Sequence, residues 1–206
     1  MHPVRQIAWL LLLLAPAVHA GSKQKQAYVL KPDQTVDLDA PKLFTAQQAC
    51  ENWALAAGLQ SLLEKQNVKL DQSFWVMRLN YGELCVQQIP SMEQLADVVN
   101  KEFVLDDGRH VRLELQFDPG APTNIDRLLA GLKREEPSLL LWHGHPYYLI
   151  GATYDERVGR DGSRIFEVKE LRLAETFART PGTTFQKGRD NLDEIQGILT
   201  VSVTQL

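Results

Sequence analysis

The sequence has only two cysteines, no run of basic residues and no apolar segment long enough to span a membrane. Its longest apolar stretch, residues 7–14, is well short of the roughly 18 apolar residues that a spanning helix needs. The 22 basic and 26 acidic side chains give a formal net charge of −4, so nucleic acid is not an expected partner. With 44% hydrophobic and 23% charged residues, the composition is that of a globular domain with a real core.

The first twenty residues have the pattern of a secretory signal peptide. Arg5 supplies a positive charge, the apolar run follows, and Val18-His19-Ala20 places small residues where a signal peptidase cleaves. No cysteine follows the apolar run, so a lipid anchor is not expected. We therefore predict cleavage of residues 1–20 before Gly21 and a periplasmic or secreted protein. Loss of Arg5 changes the formal charge from −4 to −5.

The remaining sequence predicts a polar arm over residues 21–40, with a short strand around 28–30, and one domain over residues 41–206. Helical patterns come first, and alternating patterns typical of strands follow a hairpin at Asp107-Gly108. Strands are predicted over residues 138–142, 146–154, 164–173 and 197–203. This order predicts an α+β fold with a mostly antiparallel sheet.

The first helix is predicted over Ala46 to Asn67. Thr45 and Gln48 form a capping box, which favours a helix that begins at Ala46. Every residue from Trp53 to Leu59 is apolar or glycine, so we expect this helix to be buried through its middle. Further helices are predicted over residues 71–80, after a second capping box at Ser91 and Gln94, and after Thr123.

The two cysteines allow two hypotheses. In an oxidising compartment, Cys50 and Cys85 are first of all candidates for a disulfide. Alternatively, Cys50 is a reactive thiol, because a thiol at a helix N-terminus beside an imidazole has a lowered pKa and becomes nucleophilic.

His143 and His145 are two residues apart, and we expect them at the lip of a strand, where they would share one side. They could be ordinary surface or core histidines, two ligands of a metal ion, or partners of a cysteine. A metal site would need further ligands, for which the sequence offers Cys50, Cys85, His110 or scattered carboxylates. We therefore predict no metal site.

The order of these elements resembles that of the compact bacterial papain-like cysteine peptidases, including the bacteriocin-processing type. The resemblance covers residues 44–175. Its first half is a Gln-then-Cys segment that opens a buried helix, QQACENWALAAGLQSLLEK, and its second half is Gly144-His145 before an apolar strand closed by Gly151 and Tyr154-Asp155. It implies a papain-like fold, in which an N-terminal helical lobe with a buried central helix packs on a mostly antiparallel sheet.

In the active form that the resemblance implies, the Cys50 thiolate attacks a carbonyl carbon and His145 transfers the proton. Either Glu170 or Glu175 would orient the imidazole. Gln47 or Gln48 would help to bind the oxyanion, and the expected substrate site also includes Trp53, Ala54 and His143. No cofactor is implied.

A gap-free alignment of the small-residue segment AAGLQSLL with the family's helix gives a different result. It puts Ala54 at the nucleophile position and Gln48 at the usual spacing before it, and it leaves Cys50 to bond Cys85. Two functions follow from the resemblance: an exported cysteine peptidase or amide hydrolase with a Cys/His dyad, and a non-catalytic papain-like module that binds a peptide or a partner protein.

Overall fold

The computed structural model describes residues 28–39, 49–50, 52–79, 85, 91–122, 125–175 and 183–206. The predicted signal peptide, the capping pair Thr45 and Gln48, and Gln47 lie outside these residues. None of the helices in the described part of the chain is long and apolar enough to cross a membrane.

The predicted α+β class with a mostly antiparallel sheet is confirmed. The helices are α1 (Ala54–Glu64), α2 (Gln72–Leu79), α3 (Met92–Val99) and α4 (Ile125–Lys133), with a short 3-10 helix at Leu192–Glu194. The strands are β1 (Tyr28–Asp37), β2 (Glu102–Val104), β3 (His110–Pro119), β4 (Ser138–Trp142), β5 (His145–Gly159), β6 (Arg164–Glu175), β7 (Thr183–Gln186) and β8 (Ile195–Gln205).

The eight described strands form one sheet, in which seven follow the order β2-β3-β8-β4-β5-β6-β7 and β1 pairs with β5. Every neighbouring pair is antiparallel. β5 is long enough to pair with β4 through its first residues and with β1 through its last. β4 is buried along its whole length, because β8 and β5 flank it and α1 packs against Leu139. The last strand of the chain therefore lies in the middle of the sheet.

Helix α1 begins later than predicted. Ala49 and Cys50 form a bend, Asn52 lies in a turn, and Trp53 is the N-cap residue. The prediction that the helix includes Ala49 and Cys50 is wrong, because the Trp53 amide donates to the Cys50 carbonyl at 2.9 Å, which closes a turn just before the helix; residues 46–48 lie outside the described residues. The middle of α1 is fully buried, as predicted.

Helix α1 packs on the face of the sheet that carries Leu139 and Tyr148. A Cβ atom on Gly58 would lie 2.7 Å from Leu139 Cδ1, so only glycine permits this close approach. The Tyr148 hydroxyl donates to the Ser61 carbonyl at 3.4 Å. Each large apolar side chain buried here contributes about 1.5–3 kcal/mol.

The direction of α1 follows from its C-terminal end. Gln66, just beyond the helix, donates to the Val201 carbonyl at 2.6 Å. Val201 lies two residues beyond Leu199, the β8 partner of Leu139. α1 therefore runs antiparallel to β4, and Ala54 lies toward the Trp142 end of that strand.

Strand β1 is longer than the short segment predicted around residues 28–30, and it belongs to the sheet. Its pairing with β5 is interrupted between Lys31 and Gln34, where Asp33 has a φ of 52°. Pro32 has no amide proton to donate to a further strand. This irregularity protects the exposed edge against pairing with another chain.

Candidate functional site

Cys50 and Cys85 are joined in a disulfide, as one of the two hypotheses predicted. Their α-carbons are 5.9 Å apart, and the cysteines are 35 positions apart in the sequence. Since the sequence has no other cysteine, the oxidised protein has no free thiol. A sulfur in a disulfide is not a thiolate and cannot act as a nucleophile toward a carbonyl carbon.

The turn at Cys50 leads directly into α1. The Asn52 side-chain amide donates to the Cys85 carbonyl at 2.6 Å, which adds a second link beside the disulfide. The Ala49 amide donates to Gln72 on α2 at 2.9 Å. Ala54 is then the first residue of α1 and is buried, with a methyl group at the position where the gap-free alignment places a nucleophile.

The loop between β4 and β5 consists of His143 and Gly144. Their φ angles are 52° and 73°, as a two-residue type I′ hairpin turn requires. His143 therefore lies in the turn and not on a strand, so the prediction that it shares one side of a strand with His145 is wrong. The His143 ring lies 4.9 Å from that of Trp142, and its Nε2 is 3.4 Å from Glu194 Oε2.

His145 is the first residue of β5 and is half-buried. Its ring centroid is 4.8 Å from that of Tyr147. Burial lowers the pKa of His145, and the negative charge of Glu175 offsets part of this effect. Burial also raises the pKa of Tyr147, and Glu175 raises it further. The carboxylate of Glu175 therefore interacts with both rings.

The strand register decides which way His145 faces. His145 pairs with Trp142 and Tyr147 with Leu140, whereas the alternate residues Leu139 and Tyr148 contact α1. Because side chains alternate along a strand, His145 leaves the sheet on the face opposite α1.

Ala54 and His145 thus lie toward the same end of the β4–β5 hairpin but on opposite faces. No hydrogen bond joins the His145 ring to any residue in the described ranges.

The two candidate carboxylates differ in position. Glu175 pairs directly with Tyr147 across β5 and β6. Glu170 pairs with Thr153, and its carboxylate lies 3.6 Å from Arg172. Thr153 is eight residues beyond His145 along β5, a distance of about 26 Å in an extended strand. The structure therefore brings Glu175, and not Glu170, to His145.

We call the residues around the hairpin turn the hairpin cluster; they are Trp142, His143, His145, Tyr147, Glu175 and Phe185. The Trp142 ring contacts Tyr147 at 5.8 Å and Phe185 at 5.4 Å between centroids. The Gly144 amide donates to Gln196 at 2.8 Å, which holds the turn against β8.

Sequence reasoning missed Tyr147 and Phe185. Tyr147 could have been predicted, because it lies two residues after His145 on β5 and therefore on the same side of the strand. Phe185 could not, because it reaches the cluster only through the pairing of β7 with β6.

A separate cleft of about 450 Å³ lies between α4 and strands β3 and β8. It contains none of the predicted site residues. Its charged groups are largely matched within the protein, by Lys65 with Glu135 at 3.4 Å and by Arg134 with Glu136 at 2.7 Å.

Among the described residues, no group of three or more histidine, cysteine or acidic side chains is arranged to hold a metal ion. No family model matches this chain, and a search of curated proteins finds no similar protein.

Proposed function

We propose that this protein is an exported, non-catalytic papain-like module that binds a peptide or a partner protein. The observation that carries the proposal is the Cys50–Cys85 disulfide. A cysteine peptidase needs a free thiolate, and this bond occupies the sulfur of Cys50.

The start of α1 supports the same conclusion. In the gap-free alignment, the nucleophile position is Ala54, and the structure begins α1 at this residue. A methyl group there has no lone pair or proton to use in acyl transfer. The position of a nucleophile at a helix N-terminus would thus be retained while its chemistry is lost.

Export is supported by two independent features. Disulfides form and persist in oxidising compartments and are rare in the cytosol. The first twenty residues have the charge, apolar run and small residues of a signal peptide. N-terminal sequencing of protein recovered from the cell envelope or medium should begin at Gly21; an intact Met1 on membrane-bound protein would contradict export.

The peptidase remains the second candidate because Glu175 lies beside His145. A carboxylate next to an imidazole is the arrangement that a general base uses. This form would require reduction of the disulfide and a movement of Cys50 toward His145.

A thiol count separates the two candidates. Native protein should react with iodoacetamide only after treatment with a reductant, and it should not hydrolyse casein before or after reduction. Rapid alkylation of Cys50 in the native protein near neutral pH would contradict the proposal. So would hydrolysis that is lost in both Cys50→Ser and His145→Ala variants.

A further inference from the structure

Glu175 is a half-buried carboxylate for which the described residues supply no cation. It forms no ion pair with any of them. It pairs directly with Tyr147 across β5 and β6, and the Tyr147 ring lies 4.8 Å from that of His145 between centroids. A cation bound beside this carboxylate would supply the counter-ion that the described residues do not.

The other acidic groups near the hairpin cluster have polar partners. Glu194 lies 3.4 Å from His143 Nε2. Asp190 accepts hydrogen bonds from the Arg189 guanidinium, which lowers the pKa of that carboxyl. Glu175 differs from both, because its cross-strand neighbour is the aromatic Tyr147 and no described residue forms an ion pair with it.

The rings beside Glu175 favour a cation as well. The face of an aromatic ring attracts an ammonium or guanidinium group, and the interaction strengthens when the site is partly desolvated. Burial lowers the pKa of His145, which favours the uncharged imidazole, and an uncharged ring does not repel a cation.

We propose that Glu175, together with the rings of His145 and Tyr147, receives the basic side chain of an arginine in the bound peptide. This inference rests on the proposed binding function and names the partner's chemistry. Arginine fits better than lysine because its planar guanidinium can bond both carboxylate oxygens and stack on a ring. An acidic side chain would be repelled by Glu175.

The test uses the full oxidised protein and Nα-acetyl-L-arginine N-methylamide as the probe. NMR signals of the His145 and Tyr147 rings should shift saturably as the probe is added. The matching citrulline derivative has nearly the same shape and no charge, and it should bind at least tenfold more weakly.

Two variants locate the site. Glu175→Gln keeps the shape of the side chain and should weaken arginine binding at least tenfold. Glu114→Gln removes the same charge from an exposed position on β3, far along the sheet, and should leave binding unchanged. The NMR spectrum of each variant, recorded before the probe is added, reports whether the variant is folded.

Three results would overturn the inference: no saturable shift of either ring, equal binding of the citrulline derivative, or equal effects of the two substitutions. These results do not depend on the thiol count. A reactive native Cys50 would instead remove the proposed non-catalytic function and leave the arginine measurements standing.

Discussion

Asp37 and Arg172 form an ion pair directly over the α-carbon of Gly151. The Arg172 Nε atom donates to Asp37 Oδ1 at 2.6 Å, which joins β1 to β6 across β5. A Cβ atom on Gly151 would lie 1.9 Å from that carboxylate oxygen and 2.9 Å from the guanidinium. The ion pair therefore explains why a glycine interrupts the apolar residues of β5.

We expect Gly151→Ala to displace this ion pair and to lower the free energy of unfolding by about 1–3 kcal/mol, because the added methyl group overpacks the site. Urea unfolding measures the loss, and faster amide exchange in β1 locates it. In an Asp37→Ala background the same substitution should cost less, since the nearest atom is gone. Additive losses in the double variant would contradict this explanation.

The disulfide should account for a large share of the protein's stability. Replacing both Cys50 and Cys85 with alanine should lower the free energy of unfolding by roughly 3–4 kcal/mol, because the bond closes a long loop in the unfolded chain. Each single variant should match the double variant. Wild-type protein in a reductant is the control and should unfold at the same urea concentration as the double variant; an unchanged midpoint would contradict the prediction.

The imidazole of His145 should titrate below its ordinary pKa of 6.5, because burial disfavours its charged form. Glu175→Gln should lower the pKa further, since the carboxylate stabilises the imidazolium. Glu170→Gln should leave it unchanged because Glu170 is remote. NMR titration measures all three values, and equal effects of the two substitutions would contradict the placement.

The lowered pKa of His145 also makes the free energy of unfolding depend on pH. A histidine whose pKa is lowered by folding binds fewer protons in the folded state than in the unfolded state. The contribution of His145 to the free energy of unfolding is therefore complete above its unfolded pKa of about 6.5. It is lost as the pH falls from there through the lower pKa that His145 has in the folded protein. The His145→Phe variant should lose less stability over this pH range than the wild type.

The contact between Gly58 and Leu139 predicts that the effect of Gly58→Ala on the free energy of unfolding depends on the side chain at residue 139. In the wild type, Gly58→Ala should destabilise the protein by about 1–2 kcal/mol, because the added Cβ atom meets a fully buried side chain. In a Leu139→Ala background the clash is gone, and the same substitution should stabilise by up to about 1 kcal/mol through its helix propensity. Urea unfolding of the four proteins tests this, and a loss in both backgrounds would contradict it.

Local sequence rules predicted the elements that depend on local chemistry. The capping box at Ser91 and Gln94 is present at the start of α3, and the Asp107-Gly108 turn joins β2 to β3. The same rules misplaced the start of α1, because the disulfide and the Asn52 hydrogen bond fix a turn that no local signal at Thr45 contains.

The remaining differences have two physical sources. Strand β1 was underestimated because its side chains are mostly exposed, so its pairing with β5 leaves no apolar alternation to detect. The prediction for His143 is wrong because His143 and Gly144 form the hairpin turn, and residues in a turn do not follow the alternation of a strand. The position of His145 at the end of a strand could be predicted, but the face of the sheet on which it lies could not.

The position of β8 has a consequence for how the chain folds. One edge of β3 pairs with β8, which lies some 80 residues further along the chain, and one edge of β4 pairs with the same strand. A chain that emerges from its N-terminus, from a ribosome or through a membrane pore, can therefore form helices and the β4–β5 hairpin but cannot close its sheet. The fold is completed in a late step, when residues 195–205 insert between the edges of β3 and β4 that until then have no strand partner.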